Sequence, residues 1–329
     1  MRDYYIFKSG RIRRNQNTVE FESSSNEKRT IPINDVYSVH LFGEIDLNTK
    51  LIVFASQYGI PLHFYNYYGY YCGSFYPREK LLSGFLIVKQ VEHYLDPAKR
   101  LAIAREFVNT AIHNILTNLG HYERTGKNIS FFIERIKKEH FLLNDTTKIS
   151  QIMGIEGRVR DLYYSSFSSF LREGFELDKR TRMPPQNMLN SLISFGNSLA
   201  YATILTEVYH TQLTPTVSYL HEPGERRYSL ALDISEVFKP LIVDRVIFSL
   251  INNRIIKQTE HFLEELNFCY LNESGRRVFL SEYQKKLETT ITNVRLKRKI
   301  SYQRMIRIEC FKLVKHLLGE KPYRGLRIK

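Results

Sequence analysis

The sequence of 329 residues contains no tryptophan and only three cysteines. Cys72, Cys269 and Cys310 are far apart and form no CxxC pair, which argues against a disulfide framework and against a structural zinc site of the usual spacing. No apolar run reaches the length that spans a membrane, and the first residues lack the apolar segment of a secretion signal. These absences predict a cytoplasmic protein that has no membrane partner.

The motifs of several large enzyme classes are also missing. The sequence has no GxSxG, no GxxxxGK[ST], no dinucleotide-binding GxGxxG and no HExxH. We therefore do not expect a serine hydrolase, a P-loop nucleotide hydrolase or a Rossmann-type oxidoreductase.

Negative charge is scarce, since 34 Asp and Glu stand against 48 Lys and Arg and give a net charge of +14. The excess is local: residues 1–78 hold nine basic and seven acidic residues, whereas residues 295–329 hold twelve basic and two acidic ones. A cationic surface of this strength favours a polyanion such as nucleic acid, through phosphate contacts and counterion release. The alternative is a solvated basic face that only aids solubility.

The pattern of the chain changes near residue 79. Before it, short β-rich segments alternate with turn signals, and one short helix near 48–58 ends at Gly59. Strands are predicted at 3–7, 18–21, 28–32, 36–40 and 60–64. After it the pattern is helical, and Asp96-Pro97 has the form of a helix start. Helices are predicted near 81–93, 96–119, 127–139, 146–172, 187–209, 234–252, 255–268, 281–297 and 301–318. The sequence thus predicts a two-domain α+β protein, with a small β-rich N-terminal domain over 1–79 and a larger all-α C-terminal domain over 80–329.

Residues 64–77 contain eight aromatic side chains. One interpretation is a platform on which nucleic-acid bases stack. The other is an aromatic hairpin that packs against its own sheet or a partner domain. Only two basic residues, Arg78 and Lys80, are close by, and this favours the packing interpretation.

A glutamate between glycines is the first candidate for a chemical site. Glu156 lies between Gly154 and Gly157 inside a helical pattern, where each glycine costs about 1 kcal/mol relative to alanine. Two glycines around one acid suggest close backbone approach or a ligand. A helix kink or a helix–helix contact with an incidental glutamate remains the alternative.

The stretch 219–240 combines an imidazole with two carboxylates. Asp233 and Glu236 stand three residues apart, nearly one helical turn, and His221 precedes them by a short loop and a possible strand at 230–232. Mixed nitrogen and oxygen ligands suit a divalent cation that activates water or a hydroxyl. Asp233-Ile-Ser-Glu236 also has the form of a capping box, with Asp233 as the N-cap of a helix. The spacing alone favours the cap, and the two interpretations are compatible.

The segment 182–197 is a third candidate with less chemical content. Arg182 suits a phosphate ligand or a solvated surface, and Asn187 or Asn190 suits a helix cap or a cleft lining. The apolar residues between them make a buried helix face the simplest interpretation.

Taken in order, these motifs resemble one family. They are Gly154-Ile-Glu156-Gly, then Arg182-Met-Pro-Pro with Asn190 and Ser194-Phe-Gly196, then Leu220-His221-Glu, then Leu230-Ala-Leu-Asp233-Ile-Ser-Glu236-Val-Phe-Lys-Pro240. The chain is similar over essentially its whole length to the CRISPR-associated endonuclease of the spacer-acquisition module, the first of the numbered Cas proteins. Residues 60–79 resemble most the form found with type I-B systems.

The resemblance implies a metal-dependent DNA endonuclease and integrase that inserts short foreign DNA fragments into a CRISPR array by transesterification from a 3′-hydroxyl. It implies Mg²⁺ or Mn²⁺ held by Glu156, His221 and Glu236. Asp233 matches a nearby acid that shapes the site, so all four residues are expected to be catalytic. Val237 stands where many members have a second acid, and Lys239 where many have arginine, so a bidentate phosphate contact is not expected from Lys239.

The expected partners also follow from the resemblance. They are double-stranded and branched DNA, a second copy of the chain bound through the N-terminal domain, a small ferredoxin-like protein of the same module and an accessory nuclease that trims the substrate. Candidates for DNA contacts are Arg158, Arg182, Arg226, Arg227, Lys297, Arg298, Arg304 and Arg307.

Two other functions remain open on the sequence. The same residues would serve a stand-alone, structure-selective DNA repair nuclease. Alternatively, the chain is a non-catalytic DNA-binding scaffold in which Asp233 and Glu236 only cap a helix; that hypothesis predicts no loss of activity in Glu156→Ala or His221→Ala.

Overall fold

The computed structural model describes residues 1–79, 81–177, 179–182, 184–224, 228–265, 268–293 and 297–328. The chain divides into two compact units, Met1–Leu82 and Ser83–Lys329. The first is rich in strands and the second is mainly helical, which confirms the predicted α+β class and the order of its parts. None of the helices in these residues combines the length and the apolar character needed to cross a membrane.

The N-terminal unit consists of two four-stranded sheets and one helix. Its elements are β1 (Arg2–Ile6), β2 (Gly10–Asn15), β3 (Thr18–Ser23), β4 (Lys28–Pro32), β5 (Val36–Leu41), β6 (Ile45–Leu47), α1 (Thr49–Tyr58), β7 (Leu62–Tyr65) and β8 (Tyr71–Phe75). One sheet has the order β1-β5-β7-β8, with β8 antiparallel to the others, and the second has the order β4-β3-β2-β6. All five predicted strands are present. The sequence analysis did not predict β2, β6 and β8. In β2, three arginines obscure the alternation of apolar and polar residues that would indicate a strand.

The helix of this unit begins and ends as its sequence predicts. The side chain of Asn48 accepts a hydrogen bond from the backbone of Leu51, and Gly59 ends the helix in the left-handed region at φ +67°. Leu51 and Phe54 face inward and pack with apolar side chains of both sheets, such as Ile12. This shared core unites the two sheets and α1 in one folding unit.

Two histidines are buried in the first sheet. His40 on β5 contacts Ser38 and Tyr65, and His63 on β7 contacts Ser74 at 2.7 Å. Burial lowers the pKa of His63 to about 3, and burial together with the nearby His63 lowers the pKa of His40 well below 6.5. Both rings are therefore neutral in the folded unit at ordinary pH.

This arrangement predicts acid lability of the N-terminal unit. The unfolded chain binds protons at these histidines below about pH 6.5 and the folded unit does not, so stability falls as the pH falls, by about 1.4 kcal/mol per pH unit for each histidine. Hydrogen–deuterium exchange of amides in β5 and β7 between pH 6.5 and pH 5 measures this slope. We expect His63→Gln to reduce it and the exposed His121→Gln to leave it unchanged; an unaltered slope in His63→Gln would refute this account.

The second unit is built from ten helices and two short hairpins among the described residues. The helices are α2 (Gly84–Leu95), α3 (Pro97–Arg124), α4 (Ser130–Leu142), α5 (Ile149–Ser165), α6 (Met188–Tyr209), α7 (Ser229–Phe238), α8 (Arg245–Asn252), α9 (Gln258–His261), α10 (Glu273–Glu288) and α11 (Tyr302–Leu317). The hairpins are formed by β9 (Phe262–Glu265) with β10 (Phe268–Leu271), and by β11 (Thr290–Asn293) with β12 (Arg298–Ser301). The unit is therefore helical but not strictly all-α.

Some predicted helices need correction. The helix predicted over 255–268 is wrong, because among the described residues of this range only Gln258–His261 is helical and the chain then enters β9; residues 266 and 267 lie outside the described residues. The helix predicted to start at 234 begins at Ser229, so 230–232 is helical and not a strand. After Phe238 a π-helical turn, Pro240–Asp244, separates α7 from α8.

The long helices α3 and α6 are fixed by caps and close packing. Asp96 accepts hydrogen bonds from the backbone of Ala98 and Lys99, and Asn187 accepts one from Asn190, as the sequence suggested for both. Helix α6 is buried along most of its length. A Cβ at Gly196 would lie 2.6 Å from Val243 and 2.8 Å from Phe279, so packing alone demands this glycine of the Ser194-Phe-Gly196 motif.

The basic C-terminal segment is partly structural. Arg324 and Arg327 both pair with the buried carboxylate of Glu106 on α3, and Gly325 donates its backbone N–H to the same group. A part of the charge excess seen in the sequence therefore neutralises a buried acid and ties the end of the chain to α3.

Candidate active site

Glu156 lies in the middle of α5, which runs through both neighbouring glycines without a break. The helix is continuous at both glycines. A Cβ added at Gly157 would meet no atom within 4 Å, and one at Gly154 would meet only the side chain of Arg158. The glycines therefore leave open space beside Glu156 rather than a tight helix contact.

Asp233 does not cap a helix, and this sequence interpretation is wrong. Helix α7 begins four residues earlier, at Ser229, because Leu230, Ala231 and Ile234 bury a continuous helical face. Asp233 is fully buried, and its carboxylate accepts hydrogen bonds from three successive backbone N–H groups at 2.7, 2.9 and 3.0 Å. These belong to Tyr219, Leu220 and His221.

The same carboxylate orients the imidazole of His221. Nδ1 of His221 lies 2.8 Å from Oδ1 of Asp233, so Nδ1 is assigned as the donor and Nε2 as the nitrogen left to bind a ligand. Burial acts to lower the pKa of His221, but the hydrogen bond and charge of Asp233 outweigh it and the pKa is raised. Asp233 thus fixes both the loop 219–221 and the ring of His221.

Glu236 follows one turn later on α7 and is almost fully buried. Lys239 donates to its Oε1 at 2.5 Å, and Nη2 of Arg160 donates to its Oε2. Burial opposes the ionised form of Glu236, but the charges of Lys239 and Arg160 outweigh it and hold its pKa well below the ordinary value. The carboxylate of Glu236 is therefore ionised and forms ion pairs with two cationic side chains.

Arg160 joins the two acids that the sequence proposed as ligands. The same Nη2 that reaches Glu236 also lies 3.1 Å from Oε1 of Glu156, four residues earlier on α5. Both carboxylates therefore lie on one side of one guanidinium group. The other terminal nitrogen, Nη1, is buried without a hydrogen-bond partner, which is a costly state for a charged group.

These residues have the donor chemistry of a site for Mg²⁺ or Mn²⁺ but not its arrangement. Two carboxylates and one imidazole nitrogen are suitable ligands. Within the described parts of the chain, however, no three His, Cys, Asp or Glu side chains are grouped closely enough to hold an ion. Arg160 contacts Oε1 of Glu156, and Arg160 and Lys239 together engage both oxygens of Glu236. A metal ion that binds Glu236 would therefore compete with these two cations.

Two residues of the site were missed by the sequence analysis. Arg160 follows Glu156 at the i, i+4 spacing of a helical ion pair, which is a readable signal. Asp244 ends the π-helical turn and has no local signal. It is buried, and burial raises its pKa to about 7 although Arg160 and the hydroxyl of Tyr163 act in the opposite direction.

The proposed DNA-contacting residues fall into three groups. Arg226 and Arg227 lie outside the described residues. Arg307 binds the buried Glu207 at 2.7 Å, which gives it a structural role as a counterion. The remaining five are described, and their DNA contacts stay predictions: Arg158, which pairs with Glu139, and Arg182, Lys297, Arg298 and Arg304.

The segment before α6 is anchored by Arg180, where the sequence had singled out Arg182. The guanidinium of Arg180 donates to Oδ1 of Asn190 and to Oγ of Ser194, each at 2.9 Å. Asn190 and Ser194, two buried polar residues of helix α6, therefore anchor the loop 179–182.

The comparisons with known proteins agree and cover most or nearly all of the chain. The model of the family described as CRISPR associated protein Cas1 matches residues 4–285. A CRISPR-associated endonuclease Cas1 of Thermodesulfovibrio yellowstonii is 55% identical over 323 residues, which are 98% of each chain. The structure of a Cas1 protein from Thermotoga maritima has a TM-score of 0.89 at 41% identity, over 99% of this chain and 100% of that chain. A casposase bound to integration product shares the fold, with a TM-score of 0.89 at 19% identity over 100% of this chain and 95% of that chain.

Proposed function

The chain belongs to the Cas1 family of CRISPR-associated proteins, and from this premise we propose that it is a metal-dependent DNA endonuclease and integrase that inserts short DNA fragments into a CRISPR array. One observation carries the proposal: Arg160 holds the carboxylates of Glu156 and Glu236 together beside an imidazole that Asp233 orients. The name of the relative from Thermodesulfovibrio yellowstonii supports the endonuclease part.

The proposed roles follow from the geometry of the chain's own residues. Glu156, Glu236 and Nε2 of His221 would hold the divalent cation, which when bound supplies charge stabilisation at the scissile phosphate. Asp233 keeps His221 in the tautomer with Nε2 available. The open surface over Gly157 gives a DNA backbone access to Glu156. In strand transfer the attacking group is a 3′-hydroxyl of DNA, and in hydrolysis it is water, so no protein nucleophile is required.

The proposed partners are DNA, a second copy of the chain and the small ferredoxin-like protein of the adaptation module, with a trimming nuclease as an accessory. An exposed apolar strip on α2 supports a protein partner. Phe85, Val88 and Leu95 lie on this strip and are 64–70% exposed, which is unusual for large apolar side chains on one helix face.

The proposal is tested by the products formed on branched DNA. A labelled strand with a 3′-hydroxyl is incubated with the chain and its small partner protein, in Mn²⁺ or in EDTA. We expect joined, longer products in Mn²⁺ and none in EDTA. Hydrolysis products alone, even with the partner present, would support the repair nuclease instead. Equal activity in EDTA would exclude the metal-dependent mechanism.

A further inference from the structure

Helix α3 carries a buried polar stripe that the proposed function does not use. Its four residues follow one another at intervals of four, so they lie on one face of the helix, and each is 6% exposed or less. They are Glu106, Thr110, Asn114 and Asn118. Burial of polar side chains is unfavourable unless they form hydrogen bonds, so the partners of this stripe show what it holds.

Asn118 joins the two helices that carry the proposed acidic ligands. Its Nδ2 donates to the backbone oxygen of Pro240 at 2.8 Å and to the hydroxyl of Tyr163 at 3.0 Å. Pro240 follows Glu236 by four residues, just after the end of α7, and Tyr163 lies on α5, two turns after Glu156. Asn118 therefore ties the end of α7 to α5.

Asn114, one turn earlier, is shared between α7 and the end of the chain. Its Nδ2 donates to the backbone oxygen of Val237, the residue after Glu236, at 3.1 Å, and to that of Leu326 at 2.9 Å. Its Oδ1 accepts a hydrogen bond from the backbone of Ile328 at 3.4 Å. Whatever fixes the end of the chain therefore also fixes the amide that holds Val237.

The end of α7 needs such donors because of its proline. Pro240 has no N–H, and the turn that follows bonds at i, i+5 spacing, since the N–H of Asp244 donates to the oxygen of Lys239 at 3.0 Å. A helix end that changes its spacing leaves carbonyl groups without the usual helical donor. The two asparagine amides donate to two carbonyls of this region, those of Val237 and Pro240. They thus fix the backbone directly after Glu236.

The other half of the stripe holds residues 323–328, which we call the C-terminal strap. Oε1 of Glu106 accepts hydrogen bonds from the backbone of Gly325 at 2.9 Å and from Arg327 at 3.1 Å. A Cβ at residue 325 would lie 2.6 Å from Cγ2 of Thr110 and closer still to its Oγ1, so glycine is required where the strap approaches α3. The strap therefore lies on the stripe in a fixed register.

We propose that the stripe on α3 positions Glu236 to bind the divalent cation, and that the C-terminal strap completes this positioning through Asn114. This role rests on the proposed function, which it deepens. Asn114 and Asn118 act on Glu236 through the backbone of residues 237–240, so they are positioning residues. Asn118 holds α5 and α7 together, and the strap keeps the amide of Asn114 on Val237.

Isothermal titration calorimetry with Mn²⁺, in the absence of DNA, tests the role of Asn118. Asn118→Asp keeps the shape of the side chain and an oxygen for Nε of Arg245, which donates to Oδ1 of Asn118 at 2.8 Å, but it removes the donor to Pro240. We expect Mn²⁺ to bind about tenfold or more weakly, the usual effect of removing a residue that supports a metal ligand. Gly120→Ala on the same helix is the matched control and should bind Mn²⁺ like the wild type, since an added Cβ there would meet the side chain of Arg124 at 3.5 Å, an ordinary contact.

Gly325→Ala tests the strap by the same titration. The added methyl group collides with Thr110 and lifts the strap from the stripe, so Asn114 loses partners that hold its amide on Val237. We expect a loss of Mn²⁺ affinity of about threefold or more. If the strap acts through Asn114, then adding Gly325→Ala to Asn114→Asp should weaken Mn²⁺ binding no further.

Hydrogen–deuterium exchange in EDTA gives a readout that needs no metal ion. Amides of residues 237–244 should exchange about tenfold faster in Asn118→Asp and in Gly325→Ala, because each change removes or loosens a hydrogen bond that holds this turn. Amides of α10 should keep their wild-type rates. A rise of equal size throughout the helical unit would instead indicate a general loss of stability and would overturn the positioning role.

The remaining outcomes separate the parts of the proposal. Unchanged Mn²⁺ affinity in a folded Asn118→Asp protein would overturn the role of the stripe. Additive losses in Asn114→Asp and Gly325→Ala would show that the strap does not act through Asn114. A wild-type protein that binds no Mn²⁺ would refute the proposed metal site, while the exchange rates at residues 237–244 would still decide whether the stripe holds the end of α7.

Discussion

Replacement of Glu156 by glutamine is expected to lower Mn²⁺-dependent cleavage and strand transfer by about 10³-fold, the order that follows from losing several kcal/mol of transition-state stabilisation. The change removes a carboxylate charge next to Glu236 while keeping the length of the side chain. Because Glu156 is half-buried and its ion pair with Arg160 is partly solvated, the free energy of unfolding should change by less than about 1 kcal/mol. Gel assays on branched DNA and urea denaturation measure the two effects.

The chain offers a matched control for this prediction. Glu139 on α4 pairs with Arg158, whereas Glu156 pairs with Arg160. Glu139→Gln therefore removes one negative charge and one ion pair nearby without touching the guanidinium that joins the two acids. It should retain nearly full activity. Equal loss in both variants would mean that general charge, and not Glu156 as a ligand, supports the reaction. Full activity in Glu156→Gln would support the non-catalytic scaffold.

The predicted elements with strong local signals are the ones the structure contains. Asn48 and Asp96 each stand at a helix start because their side-chain oxygens can accept hydrogen bonds from backbone N–H groups of the first turn. This capping depends only on neighbours in the sequence. The helix expected over 255–268 failed for the opposite reason. There the residues of β9 pair with those of β10, and that pairing overrides a marginal helical pattern.

The candidate site shows the same limit at the level of single residues. Asp233 and Glu236 have the spacing of a capping box, and local rules cannot exclude it. The helix starts earlier because Leu230 and Ala231 are buried against other helices, which is tertiary information. Arg160 was readable from its i, i+4 spacing to Glu156, but its second contact, to Glu236, spans 76 residues and has no sequence signature.

The metal expectation depends on the same long-range contacts. The sequence motifs identify Glu156, His221 and Glu236 by residue type and order along the chain. Neither property shows which cation lies between the two acids. The structure places Arg160 there. An arginine keeps two carboxylates close without a metal ion, because it offsets their mutual repulsion. The two carboxylates are thus held together in advance, although Arg160 and Lys239 engage their oxygens.

Substitution of Asp233 by alanine is expected to have the largest effect on stability, a loss of about 4 kcal/mol in the free energy of unfolding. The variant leaves two buried and one partly buried backbone N–H group, and the Nδ1 of His221, without their acceptor. Asp233→Asn keeps one acceptor oxygen and should lose about half as much. Urea denaturation in EDTA measures both variants. Asp161→Ala, at an exposed position of α5, is the control and should change stability by about 0.5 kcal/mol or less.

The pH dependence separates the role of the Asp233 charge from simple packing. In the folded protein the pKa of His221 lies above its unfolded value near 6.5, because the hydrogen bond and charge of Asp233 outweigh the effect of burial. The stabilisation from this pair is therefore complete below about pH 6.5 and is lost as the pH rises through the folded pKa. The stability difference between wild type and Asp233→Asn should be larger at pH 6 than at pH 8, and the pKa of His221 measured by NMR should fall in the variant.

A stability difference that is constant with pH, together with an unshifted pKa of His221, would show that Asp233 only anchors the loop 219–221 and does not hold a proton on His221. In that case the charge of Asp233 would not orient the imidazole of His221, and the assignment of Nε2 as the ligating nitrogen would lose its physical basis.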